Sequence, residues 1–137
     1  MKLNYDCFRN VLLALKDFLT YDNIGQSYNL QIIDLSQLLK SPYLKNFSKI
    51  DVVYSCQKLI EANFIEAKPD YLTYKQDEIT NIHFKAITYT GHQYLDSVRN
   101  DKIWQNIKDI VTQKGVSLTV DSILITAKNL ITKLINN

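Results

Sequence analysis

Through most of this chain apolar residues return at three- and four-residue steps, and in one place that rhythm changes to a step of two. The first pattern runs through Phe8, Val11, Leu12, Leu15, Phe18 and Leu19, and again through Ile103, Trp104, Ile107, Ile110 and Val111. It marks amphipathic helices. The second is carried by Ile82, Phe84 and Ala86, which alternate with His83, Lys85 and Ile87. It marks a strand. A chain that is helical on both sides of a brief strand region has few folds open to it. Three glycines and two prolines in 137 residues narrow them further, because loop-rich folds need those residues at their turns.

Asn4 is placed to cap the first helix, with Asp6 in its first turn. Tyr21 to Asn29 is polar around Gly25 and reads as a connection. Leu30 to Ile33 reads as a short strand, and Leu35 to Lys40 as a second helix stopped at Ser41-Pro42. Ser48 and Asp51 have capping-box spacing. They open a third helix that runs to about Ala62, with Ile50, Val53, Cys56, Leu59 and Ile60 on its apolar side. Phe64 to Ala67 and Ile82 to Ile87 form a hairpin with a long loop, and Lys68-Pro69-Asp70 signals a turn. Thr88 caps a fourth helix through Tyr94, Leu95 and Val98. A fifth runs from Asp101 to Gln113 and ends at Lys114-Gly115, and Ser117 opens the last.

This order predicts an α+β fold, mostly helical, with a winged helix-turn-helix-like core and a two-stranded wing over residues 1–100. Residues 101–137 are expected to form a two-helix C-terminal extension and a dimerisation element.

Two stretches also carry a resemblance. One is the opening, Lys2-Leu3-Asn4-Tyr5-Asp6-Cys7-Phe8-Arg9 with Leu12-Leu13. The other runs from Val53 to Ile65 and continues as Ile87-Thr88-Tyr89-Thr90-Gly91-His92-Gln93-Tyr94-Leu95-Asp96. Together they resemble a family of small, uncharacterised proteins common in phages and prophages of low-GC Gram-positive bacteria, up to about residue 120. The resemblance implies a winged-helix-like fold and a mobile-element setting. The second stretch also resembles the wider winged-helix pattern, where Leu-Thr-x-x-Gly leads out of the wing. Here Ile87 takes the first position.

Charge bears on what such a domain would bind. The net charge is +2, and Arg9 and Arg99 are the only arginines. A dedicated DNA binder is usually more basic, and arginine is the usual reader of guanine. Cys7 and Cys56 sit inside apolar-periodic segments and are expected to be buried reduced thiols. A disulfide between them has no support from spacing. Met1 to Asp6 lacks the apolar core of a signal peptide, and no run reaches the length of a membrane span. The expected location is the cytoplasm.

Three surfaces are candidates. On the third helix Lys49, Tyr54, Ser55 and Lys58 are placed to approach DNA, although Asp51 and Glu61 share that face and oppose phosphates. In the wing, Lys68, Lys75 and Lys85 interleave with Tyr71 and Tyr74, but Asp70, Asp77 and Glu78 nearly cancel their charge. In the C-terminal extension, Trp104, Ile107, Val120, Ile123, Leu124, Ala127, Leu130, Ile131 and Leu134 are the expected contacts with a second copy. The alternative there is a helix folded back on the first helix. Lys128 and Lys133 are too few for a strong membrane-surface helix.

His83 and His92 have no Cys, Asp or Glu at metal-ligand spacing, and no nucleophile or phosphate-loop motif is present. No catalytic residue, metal or cofactor is therefore expected. Two readings remain open: a dimeric regulator that binds double-stranded DNA through the third helix and wing, or a non-enzymatic module that binds and modulates a host protein such as a transcription or defence complex.

Overall fold

The computed structural model describes residues 1–72 and 74–136, without the side chains of Ile24, Lys75 and Gln76. The first helix, α1 (Tyr5–Phe18), starts where the sequence places its cap: Asn4 Oδ1 accepts from the Cys7 N–H at 3.1 Å. Two strands follow, β1 (Tyr21–Ile24) and β2 (Ser27–Leu30), paired antiparallel with Gly25 at φ +63° in the turn. This hairpin replaces the expected connection over Tyr21 to Asn29. Its residues are almost all solvent-exposed, so the alternation that reveals a half-buried strand is missing.

The strand expected over Leu30 to Ile33 is divided between the end of β2 and β3 (Ile33–Asp34). Asp34 then caps α2 (Leu35–Leu38). Its carboxylate accepts from the Gln37 N–H at 2.9 Å, and the Gln37 side chain accepts from the Asp34 N–H at 2.9 Å. A 3-10 turn at Pro42–Leu44 leads to α3 (Lys49–Glu61), where Ser48 Oγ accepts from the Asp51 N–H at 3.1 Å.

The helix α3 ends at Asn63, which takes φ 59°, a left-handed conformation that asparagine enters more readily than most residues. The Phe64 N–H donates to Leu59 O and the Asn63 N–H to Ile60 O, closing the helix in a Schellman-type turn. Strands β4 (Ile65–Leu72) and β5 (Lys75–Ile87) form the long hairpin, and the sheet order is β3-β5-β4. Lys68-Pro69-Asp70 lies within β4 and is not a turn. β4 is an edge strand, where a proline without an N–H is tolerated.

Thr88 opens α4 (Tyr89–Val98). Its Oγ1 accepts from the Gly91 N–H at 3.1 Å and donates to Asn63 O at 2.6 Å. The end of α3 and the start of α4 are thereby tied at one point. The remaining helices are α5 (Asp101–Gln113), with the bounds expected from sequence, and α6 (Val120–Asn136). α6 begins three residues beyond Ser117, behind Thr119, whose Oγ1 accepts from the Ser122 N–H at 3.0 Å. The fold is α+β and mostly helical.

Contacts divide the chain into two units, Met1–His92 and Gln93–Asn137. The first is built around α1, which buries Cys7, Phe8, Val11, Leu12 and Leu15. α3 packs on α1 and adds Val52, Cys56 and Leu59, while the sheet adds Ile33, Ile65, Ile82 and Phe84. Phe8 meets Phe64 edge-on at 6.1 Å. Both cysteines are buried free thiols. Desolvation raises the pKa of each, that of Cys56 the more, which keeps both thiols protonated. In the second unit, α5 and α6 pack together, and Trp104, Ile107, Val111, Ile123, Thr126 and Ala127 are buried. Among the described residues no helix is long and apolar enough to cross a membrane.

Candidate functional site

The phase of α3 decides what its outward face presents. The buried positions are Val52, Ser55, Cys56 and Leu59, spaced by three and four. The stripe is turned from the one the sequence suggests. Ser55, expected on the DNA-facing side, is fully buried and has no place at an interface. Its small hydroxyl fits where α3 closes on α1, with the Cys7 thiol as its polar neighbour. Conversely Ile50, expected in the core, is 68% exposed, and Val53 is half-buried.

The turned face therefore holds apolar groups in its first turns. Met1, Ile50 and Val53, with Lys49, Tyr54 and Gln57, line a cleft of about 260 Å³. The Tyr54 hydroxyl donates to Met1 O at 3.3 Å and holds the chain start against the helix. Further along, Lys58 Nζ sits 2.9 Å from Glu61 Oε2 and 5.3 Å from the centre of the Tyr54 ring. The hydrogen bond that Lys58 donates to Glu61 raises the Lys58 pKa and keeps the amine charged but engaged.

The candidate lysines of the hairpin are similarly placed among carboxylates. Lys85 Nζ is 3.4 Å from Glu66 Oε1. Lys68 is exposed and pairs in register with His83, whose Nε2 is 2.7 Å from Asp70 Oδ2. The side chain of Lys75 lies outside the described residues. Lys49 and Lys68 thus carry no carboxylate among the described residues, while Lys58 and Lys85 do. Arg9 is buried in α1, and Arg99 stands 3.9 Å from Asp96.

In the C-terminal unit, four of the expected dimer contacts are already covered within one chain. Trp104, Ile107, Ile123 and Ala127 are buried, because α5 and α6 turn their apolar sides to each other. Val120, Leu124 and Leu130 are half-buried. The apolar groups left open on α6 are Ile125, Ile131, Leu134 and Ile135, the last 77% exposed. A cleft of about 470 Å³ lies between α5 and α6, with Ile110 and Leu130 among its apolar lining and Lys114 and Lys133 among its basic lining. Among the described residues no group of three His, Cys, Asp or Glu is placed to hold a metal ion.

The family model described as "Hypothetical protein (DUF2513)" matches residues 2–117 of the chain. An uncharacterized protein of Haemophilus influenzae is 27% identical over 135 residues, which cover 98% of this chain and 99% of that relative. No solved structure matches the chain significantly.

Proposed function

We propose that this chain, which belongs to the DUF2513 family, is a non-enzymatic cytoplasmic protein that binds another protein through the outward face of α3. Ile50 carries this reading. It stands 68% exposed on a cleft it shares with Met1 and Val53. A single exposed isoleucine is ordinary, but three apolar groups around one cleft form a patch whose covering is favourable at roughly 25 cal/mol per Å². The complementary partner offers an apolar side chain to the cleft and an acidic one to Lys49. A phage or prophage origin belongs to the same proposal, with the partner drawn from a host transcription or defence complex.

The element order favours a second reading. Helix, the hairpin β1–β2, short strand, two helices and a long hairpin, with sheet order β3-β5-β4, resemble the winged helix-turn-helix plan with one hairpin inserted. On that plan α3 would enter the major groove, and Lys49 and Lys68 would meet phosphates. The ion pair of Lys58 with Glu61 and the burial of Ser55 weigh against it.

The two readings separate in one set of measurements on the full-length protein. Under the first, a partner held by the wild type is lost with Ile50→Asp and kept with Lys49→Ala plus Lys68→Ala. Random-sequence duplex DNA is then not retained, even at low salt. Salt-sensitive DNA retention that survives Ile50→Asp and falls with the lysine variants would overturn the first reading in favour of the second. The proposal keeps the expected dimer, with its contact moved to Ile131, Leu134 and Ile135.

A further inference from the structure

A second cleft lies in the Met1–His92 unit, where the end of α1, the β1–β2 hairpin and the end of β5 come together. Its volume is about 220 Å³, and it shares no residue with the α3 face. Local structure explains why it is open. β3 pairs with His83 and Phe84 alone, so β5 from Lys85 to Ile87 has no strand on that side. The β1–β2 hairpin belongs to a separate sheet, and its register sets Tyr21 opposite Leu30, on one face.

The lining divides by chemistry. Leu19, Leu30, Ala86 and Ile87 supply apolar surface, and Tyr21 adds an aromatic wall. Lys16, Lys85 and His92 supply the basic groups, and among the described residues none that lines the cleft is acidic. Lys16 has no ion-pair partner among the described residues. The contact of Lys85 with Glu66 is 3.4 Å long between two side chains that are both more than half exposed, an arrangement that costs little to exchange. Such a site has spare positive charge beside apolar surface.

We propose that this cleft binds a small organic carboxylate, with one aromatic or branched apolar body against the leucines and Ile87 and its carboxylate between Lys16 and Lys85. The volume falls below the roughly 300–1,000 Å³ of clefts for drug-sized ligands, which limits the body to one ring or one branched chain. A monoanion suits the basic groups better than a phosphate does. Among the described residues no glycine lines the cleft to form the turn of backbone N–H groups that cradles phosphates.

Titration of the full-length, nitrogen-15-labelled protein with phenylacetate tests this, with acetate and phenylacetamide as controls. The expected result is saturable amide shifts around Lys16 to Tyr21, Leu30 and Lys85 to His92. Acetate lacks the body and phenylacetamide lacks the charge, so each binds about tenfold more weakly or not at all. Lys16→Gln combined with Lys85→Gln weakens phenylacetate about tenfold, and its thermal midpoint stays that of the wild type because both side chains are exposed. Absence of saturable shifts overturns the proposal. So does equal binding of phenylacetamide, or unchanged affinity in the double variant.

Discussion

A side chain at position 91 would have nowhere to go. A Cβ built on Gly91 falls 2.0 Å from Phe64 O and 2.9 Å from Ile87 Cγ2, and a backbone oxygen cannot swing aside. Gly91→Ala is therefore expected to destabilise the protein by about 1–3 kcal/mol, read as a lower midpoint in urea or heat. The same contact explains the Thr-x-x-Gly spacing: Thr88 caps the helix and holds Asn63, and the glycine admits Phe64. Ser55 makes the opposite case. A hydroxyl buried with no better partner than a thiol gives up its hydration for little. Ser55→Ala is expected to leave the melting temperature unchanged or raise it. A loss of about 1 kcal/mol would show instead a strong buried hydrogen bond. Asp34 sets the acid response of α2. The Gln37 N–H, then the Ser36 hydroxyl, hold its carboxyl below the ordinary value of 3.8. With the folded pKa depressed, this contribution is complete above the unfolded value and is lost as pH falls through the folded one. The difference in midpoint between wild type and Asp34→Asn should be constant above pH ~5 and close in more acid solution.

At the scale of elements, the helices that sequence places best are those with a cap and a steady period. α5 is the clearest, with Asn100 Oδ1 accepting from the Ile103 N–H at 3.0 Å. α3 is placed correctly along the chain but turned about its axis. Val52 and Val53 are alike in character, and a buried serine at position 55 reads as a polar surface residue. The hairpin β1–β2 escapes because neither of its faces is well covered, so tyrosines stand where alternation would be needed. The candidate site is legible in sequence as a helix and a hairpin but not in its chemistry. The i,i+3 spacing of Lys58 and Glu61 is one at which helix side chains meet, but no spacing rule shows that Lys85 meets Glu66 across two strands, or that Ile50 faces water. The phase is testable directly. Val52→Asp should cost about 4 kcal/mol or more, because it buries an unpaired carboxylate, and Ile50→Asp should change stability by no more than about 0.5 kcal/mol. The reverse order would restore the stripe read from sequence.

Over the whole molecule, the C-terminal unit separates covered from open apolar surface. Ile123 and Ala127 serve α6 against α5, whereas Ile131 and Ile135 are left facing out. Light scattering at high protein concentration should give twice the chain mass. Ile131→Asp with Ile135→Asp should return it to a monomer with the same thermal midpoint. Ile123→Asp should instead melt the unit itself, and a monomer mass for the wild type would end the dimer reading.

The pairing of β3 with β5 has a consequence for synthesis. Ile33 has no strand to join until Phe84 has been made, and the helix α1 has no α3 to cover it until Leu59 has emerged. A ribosome therefore delivers Phe8, Val11, Leu12 and Leu15 into water well before their partners exist. The nascent first third is where a chaperone has the most to hold.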